Sequence, residues 1–111
     1  MDTRLNYPTL AKKVLNDYVD FFLEGGMTSL RTLFDDNQQR YVLLRASWEK
    51  EKYIHYLVVH LEIIGSKIWI LKDNTEEGIA TDLLEVGVPK EQIVLGFKPP
   101  SVRPYTEFAA T

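Results

Sequence analysis

The spacing of apolar residues in this chain changes period twice, and that change limits the fold more than any motif does. Over residues 8–23, Leu10, Val14, Leu15, Tyr18, Phe21 and Phe22 recur three and four apart. Lys12, Lys13, Asn16, Asp17 and Asp20 fall between them, so this stretch predicts a helix with one wet face. Pro8 suits the first turn, where its missing N–H costs nothing, and Gly25-Gly26 stops the helix. The period then drops to two. Residues 28–35 predict a strand ended by the Asp36-Asn37 turn, and residues 40–49 a second strand. In the second, Val42, Leu44, Ala46 and Trp48 share one face, and Tyr41, Leu43, Arg45 and Ser47 the other. Trp48 is assigned to the core. Lys50-Glu51-Lys52 leads into a third strand, 53–64, and Gly65-Ser66 into a fourth, 67–72. Connections this short predict an antiparallel meander.

Helical spacing then returns. Asn74 predicts an N-cap, with Glu77 as its capping-box partner and Glu76 favouring the helix dipole. Ile79, Ala80, Leu83 and Leu84 form the buried stripe. Gly87 suits C′, with Val88 packing back on Leu83, and Pro89 prevents continuation. Ile93-Val94-Leu95 reads as one more strand or a buried strap. Residues 96–111 read as extended chain anchored by Phe97, Tyr105 and Phe108. The order α-β-β-β-β-α plus a C-terminal strap predicts an α+β fold in two layers. A four-stranded antiparallel meander carries both helices on one face, as a single domain over residues 1–111. The third strand is apolar on both faces, so its second face is covered or meets another subunit.

Composition narrows the chemistry. With no cysteine, disulfides, thiolate metal sites and a cysteine nucleophile are excluded. The net charge of −3 argues against strong non-specific DNA binding. MDTRLNYPTL lacks the apolar run of a leader. No window of about 18 apolar residues offers a membrane span. A cytoplasmic chain without cofactor or metal is expected. His55 and His60 lie an odd number of residues apart on one strand, which puts them on opposite faces and denies them a shared metal. His60 and Glu62 share a face, where a carboxylate can orient a histidine for acid–base work. They read first as a polar pair on a wet or interfacial face. No GxSxG, HExxH or P-loop occurs, so no catalytic residue is assigned.

Two further segments invite contact rather than catalysis. Arg40, Arg45, Lys50 and Lys52 flank Tyr41, Trp48 and Tyr53 on the predicted hairpin, a candidate nucleic-acid surface that Glu49 and Glu51 interrupt. Lys98, Arg103 and Tyr105 sit in the proline-rich tail and are candidate contacts to a partner.

The string GSKIWILKDNTEEGIATDLLEVGVPKEQIVLGFKPPSVRPYTEFA, with the YVLLRASWE segment upstream, closely resembles the XisI family of fdxN element excision controlling factors. The blocks are Ser66 to Leu71, Thr75 to Ala80, Gly87 to Lys90 and Ile93 to Phe97, then Arg103 with Thr106, Phe108 and Ala109. Ser66, Leu71, Glu62 and Lys98 depart from the pattern without touching the fold. The resemblance implies a cyanobacterial protein tied to programmed excision of a DNA element in heterocysts, with a separate recombinase doing the cutting. It implies a regulatory, non-catalytic accessory that works by binding an XisH-like protein. The alternatives are a direct DNA-binding factor for the recombinase and a small enzyme using His60 and Glu62. The exposed edges of the sheet also predict a homodimer.

Overall fold

The computed structural model of the chain describes residues 6–111. The leader-free reading of MDTRL lies outside the described residues. Helix α1 (Tyr7–Glu24) opens at Asn6, whose side chain accepts the Thr9 amide at 3.1 Å, with Pro8 in its first turn. It closes with Gly26 N–H on the Leu23 carbonyl and Met27 N–H on the Phe22 carbonyl, the bond pair of a Schellman ending. Strands β1 (Leu30–Asp35), β2 (Arg40–Glu49), β3 (Lys52–Ile64) and β4 (Lys67–Asp73) then form the expected antiparallel meander.

After β4 the chain makes helix α2 (Ile79–Glu85) and a single 3₁₀ turn, then strand β5 (Ile93–Leu95). Among the described residues the sheet therefore has five strands in the order β1-β2-β3-β4-β5, not four, and β5 runs parallel to β4. The expected α+β architecture is correct, but the meander is only its first four strands. A parallel neighbour needs a crossover, and α2 supplies it. Both helices lie over one face. Ala11, Val14 and Leu15 of α1, with Ile79 and Leu83 of α2, close over Tyr41, Leu43, Val59, Leu61, Ile63, Ile68, Ile70 and Ile93. Each fully buried aliphatic side chain contributes roughly 1.5–3 kcal/mol.

Two irregularities interrupt the ladders: one leaves Leu71 of β4 without a partner on β3, and the other lies between β2 and β3. Leu43 faces Val59 and Leu44 faces Leu57, so Val58 has no partner on β2. This is a β-bulge, and it lets two consecutive residues serve one face. Val58 and Val59 both enter the core. The bulge is held from outside the strand. The Val58 carbonyl accepts the Asn74 amide N–H at 2.8 Å, and the Leu57 carbonyl accepts Asn74 Nδ2 at 3.3 Å.

Three expectations fail on this geometry. Asn74 is not the N-cap of α2, because its side chain is turned to β3. The N-cap position is Gly78, and Asp73 at the end of β4 satisfies the first helical amide: its Oδ2 accepts the Ile79 N–H at 2.8 Å, and its Oδ1 accepts both the N–H and the hydroxyl of Thr75. The helix starts after Gly78, and Glu77 lies before its first residue. The far end of α2 is as expected, with Gly87 at φ 102° and the buried Val88 donating its N–H to the Leu83 carbonyl at 3.0 Å. Trp48 is not in the core, because Tyr41 and Leu43 hold the helix-covered face of β2 and Trp48 is on the other, 68% exposed. His55 and His60 do not lie on opposite faces. They pair with Ala46 and Val42, which share a face of β2, because the bulge between them reverses the alternation.

Lys12 ties α1 to the β1–β2 turn through Asp36 at 2.8 Å, and the Tyr41 hydroxyl donates to Asp36 at 2.8 Å. Lys12 and Tyr41 hold the Asp36 carboxyl below its usual range. Burial, then the bond to Asp36, pushes the Tyr41 phenol up to about 12.

Folding thus keeps Tyr41 neutral where an unfolded tyrosine, with a pKa near 10, ionises. The stabilisation is intact below pH 10 and is lost as pH rises to about 12. Burial raises the phenols of Tyr7 and Tyr18 as well, so part of the alkaline loss belongs to them. Urea melts across that window should show a smaller fall for Tyr41→Phe than for the unaltered chain. At neutral pH, Asp73→Ala should cost about 0.5–2 kcal/mol in the same assay, the range for losing a side-chain acceptor at a helix start.

Candidate interaction face

The face of the sheet opposite the helices is where the surface chemistry collects. Its cross-strand rows are set by the register. Trp48 and Tyr53 form the row nearest the β2–β3 hairpin, then come Ala46 with His55, and next Arg31, Leu44 and Leu57. Leu33, Val42, His60 and Lys72 make the fourth row, and Asp35, Arg40, Glu62 and Trp69 form the last. The hairpin end is aromatic, the middle is mainly aliphatic with Arg31 at its β1 edge, and the far end carries Asp35, Arg40 and Glu62 beside Trp69. Trp48 packs on Tyr53 with ring centroids 4.9 Å apart, and Tyr53 stacks on His55 at 5.7 Å. Trp48, Tyr53 at 50% and Leu33 at 60% are large apolar side chains left in water.

The charged end holds the candidate polar pair. His60 Nε2 lies 2.9 Å from Glu62 Oε2, and Arg40 Nε lies 3.7 Å from the same oxygen. His60 and Glu62 are brought together as expected, but Glu62 is shared with a guanidinium. The two histidines, though on one face, pair four residues apart along β2, which separates them by about 13 Å. Distance rather than parity denies them a common metal. Among the described residues no group of three His, Cys, Asp or Glu side chains could hold an ion.

The four candidate nucleic-acid residues do not converge. Arg40 lies at one end of β2, while Lys50 and Lys52 flank the tip of the hairpin at the other, roughly 30 Å away. Arg45 is on the helix side, donating to Ser29 Oγ at 3.2 Å and to Glu49 at 2.8 Å. It borders a cleft of about 90 Å³ between Tyr18, Phe22, Tyr56 and Asn74. That is far below the roughly 300 Å³ at which ligand pockets begin.

The tail is more ordered than its prolines suggest. Ala109 bridges Val94 beyond β5, and its N–H donates to the Ile93 carbonyl at 2.9 Å. Arg103 donates Nη2 to the Gly96 carbonyl at 3.2 Å and Nε to the Lys98 carbonyl at 3.0 Å, with its guanidinium 5.0 Å from the Trp69 ring centre. A Cβ on Gly96 would come within 2.7 Å of a Leu71 methyl and 3.1 Å of the Ile70 carbonyl and the Trp69 ring, so a side chain there would force these groups or the tail to shift. Arg103 is engaged by its own chain, whereas Lys98 and Tyr105, the latter 88% exposed, point outward.

The signal for the aromatic end was present in the sequence. Trp48 and Tyr53 flank a tight polar connection, and residues so placed become cross-strand partners. What could not be read was the side of the sheet they would take.

A family model described as XisI protein matches residues 1–110. The chain belongs to the XisI family. Two solved structures share its fold. A XisI-like protein from Anabaena variabilis ATCC 29413 is 29% identical, with 95% of this chain and 96% of that chain covered and a TM-score of 0.84. The fdxN element excision controlling factor XisI from the same organism is 30% identical over 95% of this chain and 96% of that one, with a TM-score of 0.78. A comparison with curated proteins finds no match. Among the described residues no helix is long and apolar enough to cross a membrane.

In this XisI-family chain the Arg103 clamp is open to test. Arg103→Lys keeps the charge but loses the planar fork and the stacking. Both Arg103→Lys and Arg103→Ala should lose about 1.5–3 kcal/mol in urea melts, the range for hydrogen bonds to a charged group. Hydrogen exchange should quicken at the Phe97 and Ala109 amides, which bond to Ile70 and Ile93.

Proposed function

We propose that this XisI-family chain is a regulatory, non-catalytic accessory factor that binds a partner protein through the uncovered face of its sheet. The partner is an XisH-like protein, and the setting is control of DNA-element excision. The observation that carries this is the row of Trp48 and Tyr53 beside Leu44 and Leu57, with most of the charge toward the other end and Arg31 at the β1 edge of the Leu44 row. Tryptophan, tyrosine and arginine dominate the energetics of protein interfaces, and apolar centres with polar rims are their usual anatomy. The likeness to an fdxN element excision controlling factor gives the biological direction. Lys98 and Tyr105 stand outside the Arg103 clamp, placed to extend the contact.

Direct DNA binding has less support, since Arg40, Arg45, Lys50 and Lys52 are spread over two faces and both ends of a strand. Catalysis by His60 and Glu62 also has less. The pair sits on an open sheet surface, and a reacting site is expected in a concavity.

The test is co-purification and calorimetry with an XisH-like protein. A complex should form at micromolar concentration. Trp48→Ala and Tyr53→Ala should each weaken it about 30-fold, the effect of a hot spot worth about 2 kcal/mol. Both side chains are at least half exposed, so folding should survive the change. Absence of a complex, or indifference to both variants, would remove the proposal.

A further inference from the structure

We infer that β1 is a homodimer edge, pairing antiparallel with β1 of a second copy so that Leu33 meets Leu33 on the two-fold axis. The two edges of the sheet are unlike. At the β5 edge the tail takes the next position, through the bridge from Val94 to Ala109. At the β1 edge, among the described residues, no strand pairs with β1 except β2. Proline and bulges are devices that commonly protect an edge. The six residues of β1, LRTLFD, contain no proline, and their register with β2 runs without a bulge.

The backbone is ready for this register. The Ser29 carbonyl accepts the Ala46 N–H at 2.9 Å, which fixes the alternation along β1. Arg31, Leu33 and Asp35 turn their main-chain groups toward β2. Leu30, Thr32 and Phe34 therefore turn theirs to the open edge. With the axis at Leu33, Thr32 exchanges both bonds with Phe34 of the second copy, and Leu33 becomes a close, non-hydrogen-bonded pair.

Charge favours this register, the one along β1 that sets Arg31 opposite Asp35; an axis at Thr32 or Phe34 sets Leu33 opposite Arg31 or Asp35 instead. Arg31, Leu33 and Asp35 lie on the uncovered face. An axis at Arg31 would set two arginines against each other, and an axis at Asp35 two aspartates, both unfavourable. An axis at Leu33 sets Arg31 beside Asp35 of the second copy, twice. It also lengthens an existing row. Arg31 of one copy, then Asp35, Arg40 and Glu62 of the other, alternate in sign across the joined sheets. A two-fold axis normal to the sheet keeps both uncovered faces on one side. The dimer thus presents one ten-stranded platform, whatever partner binds it.

Sedimentation of the full chain should give twice its 12.9 kDa mass at tens of micromolar. Arg31→Asp and Asp35→Arg should each weaken the dimer about tenfold or more, because each creates two like-charge pairs. The double variant R31D/D35R, with opposite charges restored, should recover most of it. Leu33→Cys supplies a second readout in a chain that has no cysteine of its own. Facing residues in a non-hydrogen-bonded pair stand about 4.5 Å apart at Cα, within disulfide range. Mild oxidation should therefore link the copies, while Trp48→Cys should not. A monomeric mass, or a dimer that neither responds to charge reversal nor cross-links through Leu33→Cys, would overturn the inference.

Discussion

The bond from Asn74 to the carbonyl of Val58 is the contact on which the arrangement of the sheet rests. A bulge leaves one residue's backbone unpaired within the ladder, and a buried carbonyl without a donor is costly. Asn74 supplies that donor from the chain leaving β4, and its side-chain amide reaches the neighbouring Leu57 carbonyl. The bulge turns both Val58 and Val59 into the core and so brings Tyr53, His55 and Leu57 onto the same face as His60 and Glu62. Without it, either the core face or the outer face of β3 would change character halfway along the strand. The same few residues also begin α2, since Asp73, next to Asn74, accepts the Ile79 N–H and orders Thr75. One corner therefore fixes the pleat of β3 and the launch of the crossover to β5.

The second closure lies on the far side of β4. β5 has only three residues and pairs parallel, a weak attachment by itself. Its hold comes from residues 96–111. Gly96 lets the chain pass close over Leu71, Phe97 N–H donates to the Ile70 carbonyl, and Arg103 gathers the Gly96 and Lys98 carbonyls over Trp69. Lys67 Nζ reaches the Thr111 carbonyl. These contacts bury Val94 on the face the helices do not cover, which explains why its side chain is fully buried outside the main core.

Local grammar was legible in the sequence wherever a single residue type answers to one backbone need. The two-glycine stop of α1, the Gly87–Val88 ending of α2, the bounds of β2 and the hairpin connections are all of that kind. What could not be read depended on which of two similar residues would win, or on a partner distant in sequence. Asp73 and Asn74 are both good caps, and only the position of β3 decides that the asparagine is needed elsewhere. A bulge at Val58 has no signature in a run such as LVVHLEII, where every residue tolerates burial. Parity then misplaced His55 relative to His60, and the face of Trp48 followed the wrong half of β2. Arg103 reads as a candidate contact to a partner, but the groups it meets in the fold are backbone carbonyls of its own chain, which no side-chain pattern announces.

The gradient along the uncovered face restricts how a partner can sit on it. At the hairpin end, Trp48, Tyr53 and Leu57 can be buried without leaving a charge unpaired. At the other end, Arg40 and His60 converge on one Glu62 oxygen. Taking those groups out of water costs several kcal/mol per ion unless the partner returns every hydrogen bond. A footprint centred on the charged end would therefore lose most of what it gains from contact, whereas one centred on the aromatic end keeps the ions at a wet rim. Solvent screening leaves rim ion pairs with little affinity to give. Their role at the edge of such a contact is orientation: Arg40 and Glu62 favour an opposite pattern of charge and reject a like one. In the proposed contact, the aromatic end would set the strength of binding and the charged end which way round the partner lies.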